Sequence, residues 1–513
     1  MKRKKRPQPV KIQEESTTKQ NDLPSAEQEL VKSCKEILTK ISFVKKPLLV
    51  FVLIYTIAFS SIFRANFNYI DDMGRAYSGY KGWEGFSRYL SNYLSTLIHG
   101  GNFLSEISPL PQLIAVLFLA FSSIITVYVI TGKKQFSWWE MIAVLPLGLS
   151  PYFLECISYK FDAPYMALSI LVSVLPFLFR RQSAFVYGAV VFTCTLAMCS
   201  TYQAASGIFP MLAVLLCFKQ WNEGEQWKKS LKFLALSALS YGLGIVIFQG
   251  LLMKPANDYV SNSLPAPSAL FPTVYANFKK YFSLVKSDFP ILWLILIILL
   301  AAYFLYAALR SSVQKPFLSL PIAAIALVVL CLLPFGLYPL LTKPLFDTRA
   351  MYGFGALIAF LAVFDVSIPK VYFSKLVSLV LSWVFVVFAF AFGNALAVQK
   401  EYTDFRMEMV IDAMNTLPVF STDNTKTVQI SGSIGHAPAI QNAIQHYPVL
   451  GRLTPVMFTQ NWTWGHYRFS YYYGLKNISP SFNLGIDYEL PVLTDTMYFT
   501  IRGDDQYILI QLK

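Results

Sequence analysis

The chain is predicted to be an all-α polytopic membrane protein of about eleven transmembrane helices, with a small extracytoplasmic α/β domain at its C-terminus. Three observations predict this. Hydrophobic residues fill 55% of the 513 positions and charged residues only 14%, with a mean hydropathy of +0.48, more apolar surface than a water-soluble globule can hide. The apolar residues gather in runs of roughly 17–25, the length that crosses a hydrocarbon core. Near residue 400 the composition turns polar and strand-like.

Residues 1–46 are rich in Lys, Glu, Gln and Ser and lack a sustained apolar run, so they are expected to be a disordered cytoplasmic tail. The first apolar run is long enough to span, which argues against a cleaved signal peptide. Spans are expected at 47–65, 109–130, 139–157, 163–179, 183–200, 204–218, 231–252, 289–309, 317–341, 350–367 and 374–398. Lys133, Lys134, Arg180, Arg181, Lys219, Lys228, Lys229, Arg310, Lys315, Lys370 and Lys375 fall in the loops on one side, which the positive-inside rule makes cytoplasmic. Asp71, Asp72, Glu84, Glu106, Asp162, Asp258, Asp288 and Asp347 fall in loops on the other side. The spans themselves read as almost free of charge. An inside N-terminus and an odd number of spans put residues 401–513 outside. There the pattern predicts a helix over 404–417, a strand over 427–434 and a hairpin of 497–502 with 507–512.

The net charge of +14 does not indicate nucleic acid, because the basic residues lie between apolar runs rather than massed on one solvated face. Five of the six cysteines sit in apolar segments, the sixth is Cys34, and no C-x-x-C occurs, so free thiols are expected. The four histidines are scattered, without the spacing of a zinc site.

The stretch Asn66-Phe-Asn-Tyr-Ile-Asp71-Asp72-Met-Gly-Arg75 follows the first span. Two carboxylates and an arginine at a membrane surface are well placed to act on a lipid headgroup, although a solvated acidic pair flanking a helix is the plainer alternative. Trp83, Phe86, Leu90, Tyr93, Leu94 and Leu97 recur every three or four residues, with Arg88, Ser91, Asn92, Ser95 and His99 opposite. This predicts an amphipathic helix in the interface plane, within an external loop of residues 66–108. Lys160 and Asp162 bracket the start of a span, where an interfacial anchor and a helix-start carboxylate are the alternative. Tyr202 and Gln203 bring a hydroxyl and an amide to the same surface. Arg349 opens a span from the outer side, where its planar fork suits a phosphate or an ion pair with Asp347. Paired aspartates could also seat Mg2+ or Mn2+ in an octahedral oxygen site, but nothing in the sequence requires a metal. Trp462, Trp464, Tyr467, Tyr471, Tyr472 and Tyr473 could stack on sugars or pack the last domain onto the membrane.

The order of these features resembles the GT-C superfamily of membrane glycosyltransferases. The segments Asn68-Tyr-Ile-Asp71-Asp72-Met-Gly-Arg75, Ser-Tyr-Lys160-Phe-Asp162-Ala-Pro and Thr201-Tyr202-Gln203-Ala look most like the bacterial Gtr-type (GtrII-like) glucosyltransferases that decorate O-antigen and other surface polysaccharides. The resemblance covers roughly residues 47–400. It implies a polyprenyl-phosphate sugar donor, usually undecaprenyl-phosphate glucose, and a polysaccharide acceptor, met at the outer face of the bacterial cytoplasmic membrane. A flippase and a donor synthase would be its partners. On this reading Asp71 or Asp72 is the catalytic base of a single inverting displacement. Arg349, then Arg75 and Lys160, receive the donor phosphate, and Asp162, Tyr202 and Gln203 hold sugar or acceptor. Two alternatives stay open: a flippase or transporter of lipid-linked sugars, which the charge-poor spans disfavour, and a GT-C transferase for another hexose.

Overall fold

The computed structural model describes residues 44–254, 263–369, 372–421, 424–460, 462–475 and 477–513. The expected N-terminal tail up to residue 43, with Cys34, and the positions of Asp258, Lys370 and Asn461 lie outside them. In chain order the helices are α1 (Lys45–Ala65), α2 (Asp72–Ser78), α3 (Tyr89–Ile98) and α4 (Leu110–Thr131). Next come α5 (Trp138–Leu149), α6 (Pro151–Ser158), α7 (Ala163–Phe179), α8 (Ala184–Thr201), α9 (Gln203–Asn222) and α10 (Trp227–Leu252). They end with α11 (Pro267–Asp288), α12 (Ile291–Ser311), α13 (Pro316–Phe335), α14 (Gly353–Ser367) and α15 (Phe373–Asn415).

Among the described residues, eight helices (α1, α4, α8, α9, α10, α12, α13 and α15) are long and apolar enough to cross a membrane. The other three expected spans differ. Residues 139–157 form the pair α5 and α6, bent by 60°. The bend sits at Ser150, which precedes Pro151 and takes the extended ψ of 140° that a following proline favours. α7 and α14 are shorter. The 15 residues of α14 rise only about 22 Å, less than the ~30 Å of hydrocarbon, and every residue from Gly353 to Val366 is buried. α14 is therefore an apolar helix at the centre of the bundle, which run length alone does not separate from a lipid-facing span. The spans also hold more charge than the sequence reading allowed. Glu140, Glu155 and Asp365 are all buried, and Glu140 is matched by Lys133 at 2.6 Å and by a capping box with Ser137.

α1 packs along α15 through small residues. Ser61 Oγ donates to the Ala389 carbonyl at 3.1 Å, and a Cβ on Gly393 would lie 2.5 Å from the Ile62 amide nitrogen. Such close backbone approach is how helices associate where lipid offers no hydrophobic drive. Gly393→Val is expected to destabilise the protein by about 1–3 kcal/mol, read as a lower melting temperature in detergent; an unchanged melting temperature would contradict this packing.

The expected amphipathic helix is broken in two. A 3-10 turn, Trp83–Phe86, ends at Ser87 in the left-handed region (φ 58°), and α3 starts afresh after it. The reset changes which residues share a face: Trp83 is fully buried, whereas Tyr93 and Leu97 are more than three-quarters exposed. The hydroxyl-bearing face of α3 packs inward. Ser91 and Ser95 are fully buried, and Ser91 Oγ donates to the Thr201 carbonyl.

α15 runs 43 residues without a break, through position 400. Its last turns bury Met407, Val410 and Met414 against a mixed sheet of order β2-β1-β5-β4-β3. The strands are β1 (Lys426–Ser431), β2 (Ile478–Ser481), β3 (Val492–Asp495), β4 (Phe499–Gly503) and β5 (Tyr507–Leu512). β4 and β5 form the expected antiparallel hairpin, and β1 runs parallel to β2 and β5. β1 is shorter than expected because Gly432 turns the chain at φ 76°. Links from this region to the bundle lie beside the site: Arg452 pairs with Asp288 and bonds the Phe346 carbonyl, and Tyr69 donates to the Leu453 carbonyl at 2.7 Å.

Candidate active site

The loop after α1 turns twice through the left-handed region, at Asn66 (φ 45°) and Ile70 (φ 49°), and delivers both aspartates at the start of α2. Their environments differ completely. Asp72 is fully buried and accepts from the backbone N–H groups of Tyr69 (3.0 Å), Lys160 (2.9 Å) and Phe161 (3.4 Å). Burial pushes its carboxyl up to about 8, with the Lys160 amide opposing. Asp72 thus fastens two loops together. Asp72→Asn replaces one acceptor oxygen by a donor facing these amides, and is expected to cost about 1–3 kcal/mol of stability. The check is a melting curve beside transfer assays on the folded fraction: a lower melting temperature with transfer retained fits a fastening role, and lost transfer at full stability would return Asp72 to the chemistry.

Asp71 instead faces a cavity of about 540 Å3. Its side chain is 35% exposed, and Arg75 Nη1 lies 3.9 Å away. Burial by the surrounding walls raises its pKa above the usual carboxylate value, with Arg75 pulling the other way. Arg75 is itself buried, ion-paired with Asp162, its guanidinium 4.6 Å from the Trp83 ring centroid. Trp83 Nε1 donates to the other Asp162 oxygen at 2.6 Å. Asp162 lines the cavity with both its oxygens engaged.

Across the cavity, Arg349 Nη1 donates to Glu155 (3.0 Å) and to the Tyr159 hydroxyl (2.7 Å), while Nη2 pairs with Asp347 (2.8 Å). Glu155 also accepts from the Arg349 amide at 2.7 Å and from Thr348 Oγ1. Arg88 projects between these groups. Its Nε is 3.5 Å from Gln203 Oε1 and its guanidinium stacks over Tyr202, 4.5 Å from the ring centroid. Among the described residues no carboxylate lies within ion-pair distance of Arg88. Trp462 and Trp464 also line the cavity, as do Ile245, Phe248, Met253, Leu337, Leu341 and Leu345.

Of the residues singled out in the sequence, Asp71, Asp162, Gln203 and Arg349 converge on this cavity. Asp72 and Arg75 lie behind its wall. Tyr202 is buried under Arg88, and its hydroxyl has no partner among the described residues. Lys160 turns away to Glu106 (3.1 Å) and Asn68 (2.6 Å) and lines a different cavity. Arg88, Glu155 and Tyr159 were not picked out as site residues, whereas Trp462 and Trp464, two of the aromatics expected either to stack on sugars or to pack against the membrane, line the cavity. Glu155 had a readable signal, a lone carboxylate inside an apolar run. Among the described residues no group of three His, Cys, Asp or Glu side chains converges as a metal-ligand set.

Residues 60–360, more than half of the chain and all of this cavity's lining except the two tryptophans, match the family model described as Glucosyl transferase GtrII. A relative, an uncharacterized 55.3 kDa protein in the gtrB 5′ region of Salmonella phage P22, is 23% identical over 409 residues, covering 77% of this chain and 84% of the relative. No solved structure matches. A helical membrane protein whose acidic and basic groups meet in one cavity, with that match over the segments that build it, belongs to the GtrII glucosyl transferase family.

Proposed function

We propose that the protein is an inverting glucosyltransferase that takes glucose from a polyprenyl-phosphate carrier and passes it to a surface polysaccharide at the outer face of the cytoplasmic membrane. The observation that supports this most directly is the mixed lining of the cavity: aspartates and arginines together with aliphatic and aromatic side chains of α10 and the 337–345 segment. A sugar phosphate attached to an isoprenoid chain presents the same two kinds of surface. Asp71 removes the proton of an acceptor hydroxyl as that oxygen attacks the anomeric carbon. The bond from that carbon to the phosphate oxygen breaks, and polyprenyl phosphate leaves with the electron pair. One displacement inverts the anomeric centre, so a β-linked donor yields an α-linked product. Arg88, with no carboxylate within ion-pair distance among the described residues, is the group best placed to meet the phosphate as its charge grows; Arg349, engaged by Glu155, Tyr159 and Asp347, shapes the field beside it.

The test is transfer of label from radiolabelled polyprenyl-phosphate glucose to cell-surface glycan in proteoliposomes, with the anomeric configuration of the product read by NMR. Transfer with inversion supports the reading, and transfer only from a mannose, galactose or N-acetylglucosamine donor would change the sugar. An enzyme inert with every lipid-phosphate sugar would sink the reading and bring forward a transporter of lipid-linked sugars.

A further inference from the structure

A second cavity, of about 350 Å3, lies on the other side of α2 from the first. Asp71, at the start of α2, lines the first cavity, whereas Met73, Ala76 and Tyr77 line the second. Three cations reach the second cavity, Lys160, Lys400 and Arg468, against one lining carboxylate, Glu106. Glu106 pairs with Lys160 at 3.1 Å, and Arg468 is held by Asp404 behind the wall. Lys400 has no carboxylate within ion-pair distance among the described residues; its ammonium donates to the Asn66 carbonyl at 3.3 Å.

The wall beside these cations is aromatic. Tyr77 stacks on Tyr471 with ring centroids 4.2 Å apart and planes 12° from parallel. Tyr467 lies 6.5 Å from Tyr77 and stacks on Trp464 at 5.7 Å, and Trp464 lines the first cavity. A ridge of ring faces thus joins the two cavities. Flat ring faces suit the apolar face of a sugar, and ammonium and guanidinium groups beside them suit a carboxylate or phosphate.

We propose that the second cavity is an acceptor subsite for an anionic saccharide unit, a uronate or a phosphate-substituted sugar, which lies further along the chain whose hydroxyl is presented to Asp71. This rests on reading the first cavity as the transfer site. The acceptor is then an acidic glycan laid across the ridge; an anionic lipid headgroup would share the charge but make no use of the rings.

The test titrates full-length enzyme, in vesicles of neutral lipid, with the surface polysaccharide of the cell that makes it. The polysaccharide is supplied native, carboxyl-reduced and dephosphorylated, and binding is read by equilibrium dialysis. Native polysaccharide is expected to bind roughly tenfold more tightly than the form stripped of its anion. Lys400→Glu is expected to erase that preference and Lys400→Gln to reduce it, both with wild-type melting curves. Equal binding of charged and stripped forms by wild type, an unchanged preference in well-folded Lys400→Glu, or no measurable binding of any form overturns the proposal. Binding that responds to anionic lipid in the vesicles and not to the charge of the glycan also overturns it. Dialysis needs no donor, so the two readings fail separately: an enzyme inert with polyprenyl-phosphate glucose fails the transfer reading, whereas one that transfers sugar but ignores acceptor charge fails only this one.

Discussion

Asp71→Asn is expected to cut sugar transfer by about 100- to 10,000-fold, the range for loss of a positioned general base, while leaving the fold intact. Asparagine has the same shape, and the ionic contact it forfeits, to Arg75, is a long 3.9 Å, so the stability change should stay within about 0.5 kcal/mol. The wild-type pH profile gives a second readout. Burial raises the pKa of Asp71, and a base works only when ionised. Activity is therefore expected to rise with pH through an inflection above the usual carboxylate value and then level off. An inflection at or below 3.8, the ordinary value for an aspartate, or full activity in Asp71→Asn, would remove Asp71 from the mechanism.

The second large effect is a contrast between two arginines. Arg88→Gln removes the charge best placed for the donor phosphate and is expected to raise the donor KM by roughly 10- to 100-fold, the worth of a charge-assisted hydrogen bond. Its stability cost should be small, since the loss is mainly the stacking over Tyr202, about 0.5–1 kcal/mol. Arg349→Gln should behave in the opposite way. It leaves Glu155, 4% exposed, without its cation, which is expected to cost about 3–5 kcal/mol; Glu155→Gln added to it should restore much of that. Melting curves and donor kinetics on the three variants decide the matter. A stable Arg349→Gln together with a normal donor KM in Arg88→Gln would mean that the roles are exchanged.

Run length found helical segments well, since crossing a bilayer demands an unbroken apolar stretch, but it could not separate a lipid-facing span from a buried one such as α14. The site was legible where motif and helix end coincide. Asp71 and Asp162 flank helix starts, Gln203 opens α9, and Arg349 lies just before α14. Arg88 was misassigned because the left-handed Ser87 resets the helical phase, so periodicity carried through from Trp83 describes a helix that does not exist. Asp72 and Lys160 show the limit of counting charges: their direction depends on which backbone amides and carboxylates the loops bring near them. The tryptophans at 462 and 464 lie more than a hundred residues beyond Arg349 in the chain, and no local pattern connects them to it.

The unbroken α15 has a mechanical consequence. At 1.5 Å per residue its 43 residues make a strut about 64 Å long, anchored at one end beside α1 and at the other under the sheet. The sheet cannot swing as a hinged lid without bending that strut, and the Arg452 and Tyr69 links brace it from the side. Trp462 and Trp464, which line the cavity, belong to this braced region, so the wall they form is expected to stay in place while substrate comes and goes.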